Sequence, residues 1–207
     1  AGAAVGSASN PIAFDSDRAG IKLTTHTGSG AQVILIPHGT DNQSPWNSIN
    51  WGTENQLEWE CALSIQQTSD IHVWAGLKLT NTKTSTADDD QVYFITEINN
   101  GQFFWNVVVS INNVDYTSRI PSEIVANKIY KLRISIDSSR FARVYINDVQ
   151  YNITTVSAST TAVTAGAVPS KQLKDNVDLI PFIGIETDTG AKNLNVYYEK
   201  ISRVLYE

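Results

Sequence analysis

Residues 129–151, IYKLRISIDSSRFARVYINDVQY, limit what this chain can fold into more than any other stretch. Tyr130, Leu132, Ile134 and Ile136 alternate with Lys131, Arg133, Ser135 and Asp137, the period-2 pattern of a strand with one buried face. A short polar loop over residues 137–140 follows, the chain returns over residues 141–146, and it reverses again at Asn147-Asp148. Asn and Asp tolerate the positive φ angles that two-residue hairpin turns demand. Three antiparallel strands joined by tight hairpins are therefore expected, apolar on one side and charged on the other.

The same signals recur along the chain. Residues 21–26 and 32–36 read as strands, and residues 57–65 alternate Leu57, Trp59, Cys61, Leu63 and Ile65 with Glu58, Glu60, Ala62 and Ser64. Ile71, Val73, Ala75, Leu77 and Leu79 form one face of a further strand, with His72, Trp74 and Lys78 on the other. Asn100-Gly101 marks a hairpin between residues 91–98 and 102–110. Residues 120–127 read as a short helix or a loop, with Pro121 suited to a helix first turn. Residues 179–186 and 194–205 close the chain as strands. Short strands, hairpin turns and hardly any helical period predict an all-β fold, a two-sheet antiparallel sandwich of jelly-roll type. Leu132, Ile134, Ile136, Val144, Ile146, Ile183 and Val196 are expected in its core.

At 207 residues the chain suits one large domain. Residues 1–20, rich in Ala, Gly and Ser, read as an arm or linker tied down by a partner or by the body of the fold, and residues 21–207 as the sandwich. The net charge of −6 repels a phosphate backbone, so no nucleic-acid partner is expected. The longest aliphatic run, Val33-Ile34-Leu35-Ile36, is far too short to span a bilayer, and no membrane insertion is expected. Cys61, the only cysteine, is read as a buried, inert thiol.

The segment Ile129-Tyr-Lys-Leu-Arg-Ile-Ser-Ile-Asp137, followed by Ala142-Arg-Val-Tyr-Ile-Asn147, resembles concanavalin A-like jelly rolls. Residues 179–186 and 194–203 resemble the last strands of such domains in structural proteins of tailed phages and large algal viruses. The likeness covers roughly residues 56–207. It implies a virion surface, fibre or decoration role and partners that are other virion proteins or copies of the same chain.

Candidate chemistry is sparse. Jelly-roll hydrolases similar to laminarinases carry three acids at i, i+2 and i+4 on one strand face; here Glu58 and Glu60 are followed by Ala62. Alginate-lyase-like jelly rolls carry a Gln-x-His, which Asp70-Ile71-His72 resembles in part, without the Arg-rich partner strand. His26, His38 and His72 show no metal-ligand spacing, so no metal and no cofactor are expected. Asp88, Asp89 and Asp90 read as a solvated loop rather than a calcium site. Trp46 and Trp51, with Asn47 and Asn50 between them, are candidate glycan contacts: aromatic faces stack on sugar C–H bonds while amides satisfy hydroxyls. The sequence thus points to a non-enzymatic, self-associating protein of the virion surface, or otherwise an extracellular one, with cell-surface glycan as candidate ligand. A free carbohydrate-binding module or lectin, and a glycan-cleaving enzyme with an atypical acidic site, are the alternatives.

Overall fold

The computed structural model describes residues 2–5, 12–36, 51–79, 89–153 and 172–204. Among the described residues, fourteen strands form two seven-stranded antiparallel sheets. In chain order they are β1 (Gly2–Val5), β2 (Ile12–Phe14), β3 (Ile21–Thr24), β4 (Ala31–Leu35), β5 (Glu58–Ile65), β6 (Ile71–Lys78) and β7 (Gln91–Asn99). There follow β8 (Gln102–Ile111), β9 (Val114–Glu123), β10 (Ile129–Ile136), β11 (Ala142–Ile146), β12 (Val149–Tyr151), β13 (Ile180–Thr187) and β14 (Asn193–Ser202). The first sheet runs β1-β4-β13-β6-β7-β8-β9, and the second β12-β11-β10-β5-β14-β3-β2. The chain is an all-β, concanavalin A-like jelly-roll sandwich. No helix among the described residues is long and apolar enough to cross a membrane.

Strand alternation produces the layers. Along β10, Tyr130, Leu132, Ile134 and Ile136 are buried, and the residues between them reach the surface. These four join Val144 and Ile146 of β11, Ile183 of β13 and Val196 of β14 in one core between the sheets, as their spacing requires. Cys61 lies fully buried there, and loss of hydration pushes its thiol well above the ordinary value. The turns follow the expected chemistry: Asn147 and Asp148 both hold positive φ, at 51° and 66°. Asp137 ends β10 because its Oδ1 accepts from the backbone N–H groups of Ser139 and Phe141, each at 3.0 Å, which closes the loop into β11.

One feature differs from the sequence reading. The helix-or-loop segment begins as strand: β9 continues through Pro121 to Glu123. A proline fits there because β9 is the edge of its sheet, where a missing N–H need not break a ladder. Within residues 1–20, β1 pairs with β4 and β2 with β3, so the described parts of this segment are held by the chain's own sheets.

Candidate functional site

One face of the first sheet looks away from the second sheet, and strand parity decides what stands on it. Three neighbouring rows can be read across the ladder: Gln32–Glu186–His72, Ile34–Gly184–Trp74–Ile95–Asn106–Arg119, and Phe182–Gly76–Tyr93–Val108–Thr117. The apolar members Ile34, Trp74, Tyr93, Val108 and Phe182 form a second buried cluster, separate from the main core. Glycines at 76 and 184 make room for it. A Cβ on Gly76 would meet the Val92 carbonyl oxygen at 2.5 Å, and one on Gly184 would meet the Trp74 ring at 3.0 Å. Over Gly76 the rings of Tyr93 and Phe182 meet edge to face, with centroids 5.9 Å apart.

Beside this cluster a cleft of about 460 Å³ crosses β6 to β9. Tyr93, Ile95 and Val108 give it an apolar lining, while His72, Glu97, Asn106 and Asp115 supply polar groups. The Glu97 carboxylate accepts from the Arg119 guanidinium at 3.0 Å and from the Asn106 amide. Asn106 is buried, and its Oδ1 has no hydrogen-bond partner among the described residues. At one end His72 Nε2 lies 3.3 Å from Asp188 Oδ2. Asp188 is fixed by its backbone, whose N–H donates to the Asp70 carbonyl at 3.0 Å. Glu186, across the ladder from His72, takes a hydrogen bond from Gln32. One ligand atom from each of His72, Glu186 and Asp188 lies within 4.8 Å of the others.

The sequence-chosen residues fall elsewhere. Trp46, Asn47 and Asn50 lie outside the described residues, as does Asp88. Trp51 is half-buried, packs against the main core and has the Arg203 guanidinium 6.0 Å from its ring. Asp90 is buried and accepts from the Asn112 N–H at 3.4 Å, while Asp89 is exposed. Glu58 and Glu60 stand on the outer face of the second sheet, across the molecule from the cleft. Glu58 faces Arg133 at 3.4 Å. Glu60 is buried and holds Lys131 at 3.4 Å, Lys200 at 3.2 Å and the Tyr198 hydroxyl at 2.7 Å. Burial pushes its carboxyl up, but Tyr198 and the two lysines outweigh this and keep it below the ordinary value. A carboxylate held in that state is a structural anchor. His72 was visible in the sequence only as a fragment of a motif; Glu186, Asp188, Glu97 and Asn106 carried no local signal.

No family model and no curated relative matches the chain. Solved structures share its fold at low identity. An alginate lyase from Pseudomonas aeruginosa superposes with a TM-score of 0.59 at 12% identity, over 96% of this chain and 88% of the lyase. The carbohydrate recognition domain of Emp46p gives 0.57 at 7% identity, over 94% and 88%. A β-glucanase from Bacillus licheniformis gives 0.55 at 10% identity, over 94% and 83%. These neighbours establish the jelly-roll architecture, and none of them brings a viral or phage link. The expectation of a non-enzymatic chain is corrected by them: it rested on an incomplete three-acid strand, whereas the alginate lyases and the β-glucanase are glycan-cleaving proteins built on this same sandwich.

Proposed function

We propose that this chain is a glycan-active jelly roll that seats a polysaccharide in the first-sheet cleft, with His72 as the proton-transferring group. The observation that carries the reading is the pairing of His72 with Asp188 at the end of a cleft whose walls offer both apolar surface and amide and carboxylate groups. A carboxylate beside one ring nitrogen holds the imidazole in place and fixes its tautomer, which leaves the other nitrogen to take a proton. The kinship in fold with glycan-cleaving proteins supports the same reading.

One observation favours a second reading, glycan retention without cleavage. Elimination on a uronate needs its carboxylate neutralised; among the described residues no lysine or arginine lines the cleft, and Arg119, on the neighbouring strand, is committed to Glu97 at 3.0 Å. Incubation with alginate, laminarin and mixed β-glucans, reading reducing ends and unsaturated products, tests both. Turnover that falls at least a hundredfold in His72→Ala and less in Asp188→Asn supports the first reading. Binding without turnover supports the second. Turnover indifferent to His72, or neither binding nor turnover, overturns the cleft as the site.

A further inference from the structure

We infer that His72, Glu186 and Asp188 form a binding site for one transition-metal dication of the Zn²⁺ type. The three residues come from β6, from the facing position on β13 and from the turn just after β13, so backbone pairing rather than side-chain flexibility brings them together. An imidazole with two carboxylates is a donor set that Zn²⁺ and its first-row neighbours accept, while Ca²⁺ prefers oxygen alone. The spacing agrees. Ligand atoms about 2.0–2.2 Å from a tetrahedral ion stand roughly 3.3–3.6 Å apart, and His72 Nε2 and Asp188 Oδ2 are separated by 3.3 Å. That distance is long for a charge-assisted hydrogen bond, which favours about 2.7–2.9 Å.

Charge makes a second argument. Two carboxylates converge here, and among the described residues neither pairs with a lysine or arginine. Like charges held this close are unfavourable unless a proton or a cation joins them. The surroundings are also built to hold the ligands still. Gln32 donates to one oxygen of Glu186 and leaves the other available, the kind of outer contact that orients metal ligands. The Thr187 hydroxyl bridges the carbonyls of Thr189 at 2.9 Å and Gly190 at 2.6 Å, and Gly190 N–H donates to Thr27 at 3.2 Å, so the turn carrying Asp188 is tied at both ends. An ion on His72 Nε2 takes the place of the proton that faces Asp188, so metal binding removes the contact that orients this imidazole for proton transfer.

The test needs no glycan, and its failure therefore leaves the cleft reading standing. Chelator-stripped full-length chain is titrated with Zn²⁺ in a calorimeter, and Co²⁺ is followed by its visible absorption. One ion per chain is expected, with affinity reduced at least tenfold in His72→Ala and in Asp188→Asn, and less in Gln32→Ala. Far-UV circular dichroism shows that each variant keeps its strands, and Glu186→Gln gives a near-isosteric check. The inference is overturned by no Zn²⁺ binding, by Ca²⁺ binding as tightly as Zn²⁺, or by binding that survives His72→Ala and is lost in His26→Ala or His38→Ala.

Discussion

The indole Nε1 of Trp59 donates to the carboxyl of Glu199 at 2.9 Å, on the inward side of adjacent strands in the second sheet. An acid in that position exists because β14 slips register between Val196 and Tyr198. The bulge turns Tyr198 outward to Glu60 and sends Glu199 in toward Trp59. Glu199 keeps some exposed surface, yet loss of hydration outweighs the indole bond and pushes its carboxyl up to about 7.

That shift has a signed consequence. Between the unfolded value near 4.5 and the folded value of about 7, the folded chain binds the extra proton. Stability from this group is therefore full at the acid end and is lost as pH rises through 7. In Glu199→Gln the loss, roughly 1–3 kcal/mol, is expected to vanish from urea unfolding followed across this range. Parallel pH curves for the two proteins would contradict it.

Glu60 acts with the opposite sign. Its carboxyl is held below the ordinary value, so its contribution is full above that value and is lost as pH falls through the folded one. Glu60→Gln is expected to cost roughly 1–2 kcal/mol near neutrality, since the lysines it holds remain partly solvated. The deficit should close in acid. Thermal melts of both proteins at neutral and at strongly acidic pH decide this, and a gap that persists in acid counts against it.

Gly76 is expected to be intolerant of a side chain. A Cβ there would stand 2.5 Å from the Val92 carbonyl oxygen and 2.6 Å from Tyr93 Cα, both backbone atoms that cannot move aside cheaply. Gly76→Ala should destabilise by about 1–3 kcal/mol and disturb the Tyr93–Phe182 ring pair. Gly101→Ala serves as a contrast, since its Cβ meets nothing within 4 Å and only its φ of 77° resists. Equal losses at the two sites would show that backbone conformation, not space, is the constraint.

Trp105 of β8 carries the contact between sheets, edge to face with Tyr130 of β10 at 6.2 Å between centroids. Trp105→Ala is expected to cost about 3–5 kcal/mol. Trp105→Phe should cost much less, because the buried indole Nε1 has no hydrogen-bond partner among the described residues and nothing polar is lost with it. Denaturant midpoints of the pair measure the difference, and equal destabilisation would point to a bond through Nε1.

Period-2 spacing was enough to determine which residues of β10 and β11 face the core, and with them Ile183 of β13 and Val196 of β14, because successive strand side chains must point to opposite sides. Past Val196 the bulge in β14 breaks that period. The hairpins at Asn147-Asp148 and Asn100-Gly101 were equally legible, since positive φ is a local demand that few residue types meet. Parity also separates His72 from Val73, and that is as far as the chain's own text goes. Which strands become neighbours depends on long-range pairing: β13 lies between β4 and β6, and this alone sets Glu186 beside His72 and carries Asp188 to its imidazole. The same pairing aligns Asn106 with Glu97 along a cleft wall, brings Arg119 to Glu97, and moves Glu58 and Glu60 to the opposite side of the molecule. Local propensity determines faces and turns. Sheet order, decided by how the two apolar faces bury each other best, determined which polar residues share a site.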